Sequence, residues 1–87
     1  MSTDSQRDLL THIFQAQRRS LVGTIYRMVG CLYTAEDLAH DAYLRVANAA
    51  RERPVTHLQA FLYQTARNLA LDHIRRERLR GTFMSAA

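Results

Sequence analysis

Lysine and tryptophan are missing from this 87-residue chain, cysteine and proline occur once each, and glycine only three times. A lone cysteine, Cys31, excludes an internal disulfide framework and takes away the thiolate sets of the common structural zinc sites. Little Pro and Gly beside 47% hydrophobic residues is the composition of a folded domain and excludes low-complexity disorder. No apolar run approaches the ~20 residues that a membrane-spanning helix requires, so direct membrane insertion is not expected. The opening segment carries Asp4, Arg7 and Asp8, unlike a secretory leader, and the expected location is cytoplasmic. A chain of this length makes one domain with a modest core, which excludes a catalytic cleft between domains.

What the chain has is arginine. All twelve basic residues are Arg and the formal net charge is +4. The guanidinium fork suits phosphates and base edges, but a GC-rich genome enriches Arg as well, so charge alone names no partner. Its distribution says more. Residues 1–30 hold four Arg against two acids, residues 31–66 three against four, and residues 67–87 five against two. The middle segment sets Glu36, Asp37 and Asp41 against Arg45, whereas the last is strongly basic. Two surfaces of opposite sign, and two partners, are expected.

Hydrophobic spacing predicts three helices and no strand, hence an all-α, compact bundle of three main helices. The first covers about Ser5 to Val29, with Leu10, Phe14, Leu21, Ile25 and Met28 near one face, Ile13, Val22 and Val29 widening it, and Gly30 as its stop. The second is expected to open at Thr34, capped with help from Asp37, and to end near Ala50 with Leu38, Ala42 and Val46 as its stripe. Arg51 to Val55 reads as a loop, because Pro54 disfavours a helical residue before it. Thr56 and Gln59 have capping-box spacing for a third helix carrying Leu58, Phe61, Leu62, Thr65, Leu69 and Ile74 and stopping at Gly81. Residues 1–80 form the expected domain and 81–87 a frayed tail or the start of a linker.

Catalysis finds little support. Glu36 and Asp37 lie four and three residues from His40, a spacing seen in helical metal sites, but neither Asp8 with His12 nor Asp72 with His73 repeats this motif of two acids before one histidine. There is no glycine-rich phosphate loop, metalloprotease signature or nucleophile elbow. No catalytic residue, metal or cofactor is assigned, and the chain is not expected to be an enzyme.

The run from Phe61 to Arg76 cannot bury all its polar members. Gln64, Arg67 and Asn68 lie three and four residues apart, so their donors and acceptors share one face and could meet base edges or phosphates, with Tyr63 adding an aromatic plane. On composition alone a solvated face explains them equally well. The two segments Thr34-Ala-Glu-Asp-Leu-Ala-His-Asp-Ala-Tyr-Leu-Arg-Val46 and Phe61-Leu-Tyr-Gln-Thr-Ala-Arg-Asn-Leu-Ala-Leu-Asp-His-Ile-Arg-Arg76 resemble, in order and separation, region 2 of bacterial extracytoplasmic-function sigma factors of the sigma-70 superfamily. The resemblance covers roughly residues 8 to 80, and the iron-uptake subgroup is the most similar.

That resemblance implies a transcription initiation factor domain that binds core RNA polymerase and recognises and helps melt the promoter −10 element. The second helix would dock on the clamp helices of the largest catalytic subunit through Asp37, His40, Asp41, Leu44 and Arg45; the family usually has Gln at the position of His40 and often Trp at that of Ala47. The loop and third helix would take an unstacked base of the −10 non-template strand, with Arg51, Arg53, His57, Phe61, Tyr63, Gln64, Arg67 and Asn68 at matching positions. Arg75, Arg76, Arg78 and Arg80 would hold phosphates. A second domain reading the −35 element and an anti-sigma factor are implied as well, so the chain would be part of a longer protein. Two readings from other classes stand beside this one: a small helical duplex-DNA-binding regulator and a helical protein-interaction module.

Overall fold

A computed structural model describes the backbone of residues 3–86 and the side-chain environments of residues 5–81. Among the described residues there are three helices and no strand: α1 Thr3–Val29, α2 Leu32–Glu52 and α3 Leu58–Ala86. Each helix packs on both others.

The α1–α2 reversal is made by a glycine. Gly30 has φ +76, a left-handed conformation open to a residue without a Cβ, and its N–H donates to the Tyr26 carbonyl at 2.8 Å. This is the single-bond αL stop, as the sequence predicts. The turn uses only Gly30 and Cys31, so α2 starts at Leu32 with Cys31 as its extended N-cap. Thr34 therefore lies inside the helix, half-buried, instead of capping it, and Glu36 and Asp37 fall beyond the first turn.

Proline sets the other junction. α2 runs through Arg51 and Glu52, two residues past the expected end, because Pro54 restricts only the residue before it; that residue, Arg53, is extended and donates its N–H to the Ala49 carbonyl at 3.2 Å. The first turn of α3 is closed by the Phe61 N–H on the His57 carbonyl at 2.9 Å. His57 thus takes the cap position expected of Thr56. At the far end Gly81 does not stop α3, which continues to Ala86; the side chains beyond Gly81 lie outside the described residues.

The core is Leu10, Leu21, Val22 and Ile25 of α1, Ala35, Ala39, Ala42, Val46 and Ala50 of α2, and Leu58, Leu62, Ala66 and Ala70 of α3. On α2 the seam facing the bundle is a column of alanines around Val46, while Leu38, expected in the stripe, is only half-buried. Small side chains let helix axes approach, so the bulk of α1 fills the centre. No polar or charged residue among those described is buried. The chemistry of this domain is on its surface.

Candidate nucleic-acid interface

The acidic set gathers on the outer face of α2. Asp37, His40, Leu44 and Arg45 are exposed, Asp41 is half-exposed, and the Asp41 carboxylate forms an ion pair with Arg45 Nε at 3.5 Å. Leu44 keeps 47% of its surface exposed, an apolar spot in a charged stripe. Glu36 and Arg18 face each other across α1 and α2 at 3.9 Å, an exposed pair worth at most ~1 kcal/mol. His40 stands beside an aromatic pair that sequence patterning does not show. The Phe14 and Tyr43 ring centroids are 4.7 Å apart, with His40 at 6.5 Å and 6.2 Å from them, and the Tyr43 hydroxyl shares a 2.7 Å hydrogen bond with Thr11 Oγ1. This contact joins α1 to α2. Among the described residues no three His, Cys, Asp or Glu come together as a metal would need.

On α3 the polar set also gathers. Gln64, Arg67 and Asn68 are exposed and, with Ala60, Tyr63 and Leu71, line an open hollow of about 530 Å³. Toward the loop, Ala60 and Tyr63 also line a second hollow of about 560 Å³, walled by Val55, Thr56, His57, Leu58 and Gln59 on one side and by Gln6, Leu9 and Ile13 of α1 on the other. Toward the free end of α3, Asn68 and Leu71 also line a third, of about 410 Å³, with Arg45, Thr65, Leu69, Asp72 and Arg75. Their shared lining residues set the three hollows in succession along α3 as an interrupted trough. From Leu58 to Arg75 it covers about 25 Å at the helical rise of ~1.5 Å per residue.

The remaining predicted positions divide. Arg51 and Arg53 are exposed but do not line the loop hollow, whereas His57 does. Phe61 is half-buried against the core, so most of its ring serves the bundle instead of facing the trough. Tyr63 is half-buried too, its hydroxyl donating to Gln17 Oε1 at 3.2 Å; it contributes a wall to the trough, not a free plane. Arg75 and Arg76 both reach the Asp72 carboxylate, at 3.3 and 3.1 Å, and Arg80 reaches Glu77 at 3.0 Å. Among the described residues Arg67 and Arg78 have no carboxylate within 4 Å. Missed altogether at the sequence level are Gln6, which bonds the loop across 49 positions of chain, and Leu9, which lines the loop hollow; no local pattern marks them.

A family model of sigma-70 region 2 matches residues 13–80. The chain belongs to the sigma-70 region 2 family. No curated protein and no solved structure matched it. The matched span of this region 2 domain takes in all of α2, the loop and α3 as far as Arg80, and leaves the first turns of α1 outside. Membership gives the domain a region 2 role in transcription initiation, where core RNA polymerase and promoter DNA are the family's partners. The family is one of transcription factors, not of catalysts. No helix of the region 2 domain, among the described residues, is long and apolar enough to cross a membrane.

Proposed function

We propose that this domain is region 2 of an extracytoplasmic-function sigma factor, of the iron-uptake type, that docks through α2 and holds the −10 non-template strand along α3. Asp37, His40, Asp41, Leu44 and Arg45 meet the clamp helices of the largest polymerase subunit, with Leu44 as the apolar contact inside a polar ring. The interrupted trough from the loop hollow past Tyr63, Gln64, Arg67 and Asn68 supports the second half of the reading. A groove open to solvent, lined by amides, an unpaired guanidinium and an aromatic wall, fits an extended strand better than a duplex.

Energetics agree with one extruded base. Pulling a base from the stack costs a few kcal/mol, and an aromatic contact returns ~1–3 kcal/mol. With Phe61 committed to the core, Tyr63 is the aromatic wall available for that contact. Hydrogen bonds from Gln64, Arg67 and Asn68 then select among bases, while Arg51, Arg53, Arg75, Arg76, Arg78 and Arg80 contribute a sequence-blind, salt-sensitive hold on phosphates. In the cell, a membrane-associated anti-sigma factor holds the cytoplasmic protein in check.

Run-off transcription with core polymerase, on templates differing only in the −10 element, tests the whole reading. Transcription should follow the −10 sequence, and indifference to it would refute the assignment. A fluorescence titration separates the rivals. Preference for duplex over single strand would favour a duplex-binding regulator, and polymerase binding without single-strand affinity at low salt would leave a protein-interaction module.

A further inference from the structure

We infer that Gln6 is a positioning residue that clamps the α2–α3 loop and so shapes the hollow proposed to take the extruded base. The inference rests on the promoter reading above for the identity of the ligand, and on the geometry alone for the clamp. Gln6 Nε2 donates to the Val55 carbonyl at 2.8 Å, and the Val55 N–H donates back to Gln6 Oε1 at 3.3 Å. A side-chain amide has one carbonyl and one NH₂, so it pairs with a single residue's backbone as a neighbouring strand would.

The loop has little else to hold it. Arg53, Pro54, Thr56 and His57 are exposed, leaving Val55 as its one half-buried member. Pro54 offers no N–H. Among the described residues this loop's backbone–backbone bonds occur only at its two ends, from Arg53 to Ala49 and from Phe61 to His57. Between those ends the chain is fixed by the Val55 side chain against the core and by Gln6. The opposite wall is fixed in the same manner, since Gln17, eleven residues along α1, accepts the Tyr63 hydroxyl. One helix therefore sets the width of the hollow through two glutamines. Leu9, 52% exposed, lies between them and gives the rim an apolar face suited to a ring.

The family match begins at residue 13, so both Gln6 and Leu9 lie outside the matched span. Both come from the packing of α1 on the loop.

The test compares the wild-type chain with Gln6→Leu, which is close in size, keeps helix propensity and removes both bonds, and with Gln6→Glu, which keeps an acceptor for the Val55 N–H but loses the donor to its carbonyl. Amide exchange at Val55 should quicken roughly tenfold in Gln6→Leu, the scale of two ordinary hydrogen bonds, and less in Gln6→Glu. The ratio of affinities for short labelled single strands differing at one base should contract in both variants. A purely structural role would lower the melting temperature and leave the ratio alone. Unchanged Val55 exchange in Gln6→Leu would overturn the clamp. Quickened exchange with an unchanged ratio would overturn its link to the hollow. A wild-type chain that binds no single strand would instead refute the promoter reading, with the clamp still judged by exchange.

Discussion

Helix α3 is two structures in one. Up to Ile74 one side is covered: Leu58, Leu62, Ala66 and Ala70 are buried and Phe61, Thr65, Leu69 and Ile74 half-buried, whereas every described residue from Arg75 to Gly81 is exposed. Gln64, Arg67 and Asn68 are on the covered part, where packing fixes the backbone that carries them. Arg75, Arg76, Arg78 and Arg80 are on the part that leaves the bundle. The division matches what each chemistry needs. Discrimination between base edges requires donors held to a fraction of an ångström, while attraction to phosphate tolerates a moving cation. α2 lies entirely on the held side, its alanine column buried from Ala35 to Ala50, so its acidic face is presented rigidly.

The sharpest way to break the comparison is to shorten a leucine on each part. Leu62 is fully buried, and Leu62→Ala should cost roughly 2–5 kcal/mol, visible as a large fall in melting temperature. Leu79 is 62% exposed, and Leu79→Ala should stay within about 0.5 kcal/mol. Equal losses at the two positions would mean that α3 is packed along its whole length. Leu69 is half-buried, so its truncation should fall between them.

Next in size is the effect on α2. Asp41→Arg reverses a charge on the face proposed to meet the clamp helices and should weaken polymerase capture about tenfold or more, as like charges across an interface cost several kcal/mol. It also replaces the Asp41–Arg45 pair by two cations four residues apart, which costs the helix only ~0.2–0.5 kcal/mol. Helical content by circular dichroism should therefore persist. Undiminished capture in a pull-down would remove Asp41 from the docking face.

The held part of the bundle was largely readable from the sequence where a large side chain or a backbone-restricted residue spoke for itself. Leu10, Leu21, Ile25 and Leu62 mark their faces by period, and Gly30 ends α1 by conformation. Alanine does not announce its side, which is why Ala35 and Ala39 take the place expected of Leu38, while Ala42 and Val46 of the expected stripe are buried. Thr34 and Thr56 each have good capping spacing, yet both helix starts were set from outside the box, by a two-residue turn at Gly30 and by the loop after Pro54. The candidate surfaces follow the same rule. Asp37, Gln64, Arg67 and Asn68 stand out as polar positions off an apolar stripe, and they are exposed. The reach of Gln6 to Val55, of Gln17 to Tyr63 and of Thr11 to Tyr43 depends on how α1 lies across the other two helices, which no window of sequence contains.

Smaller effects separate the two parts of α3 by kind. Asn68 lines two of the three hollows on the held part, and its amide can pair with a base edge. Asn68→Ala should lose about 1–3 kcal/mol of discrimination between −10 strands and less of the mean affinity, measured by titrating strands that differ at one base. Uniform losses on all strands would move Asn68 to the phosphate-binding class.

Arg78 is the converse case. It lies past the last half-buried residue, without a carboxylate partner among the described residues, so its guanidinium is available to a phosphate and lacks the rigid mount that base readout requires. Arg78→Ala should weaken every strand by a similar small factor and reduce the slope of log affinity against log salt by about 1, measured by repeating the titration at several salt concentrations. Arg75, Arg76 and Arg80 begin with internal carboxylate partners, which a phosphate must displace, and their individual slopes should change by less than that of Arg78. A sequence-dependent loss at Arg78 would show that the projecting end of α3 becomes ordered on the strand, erasing the distinction between its two halves.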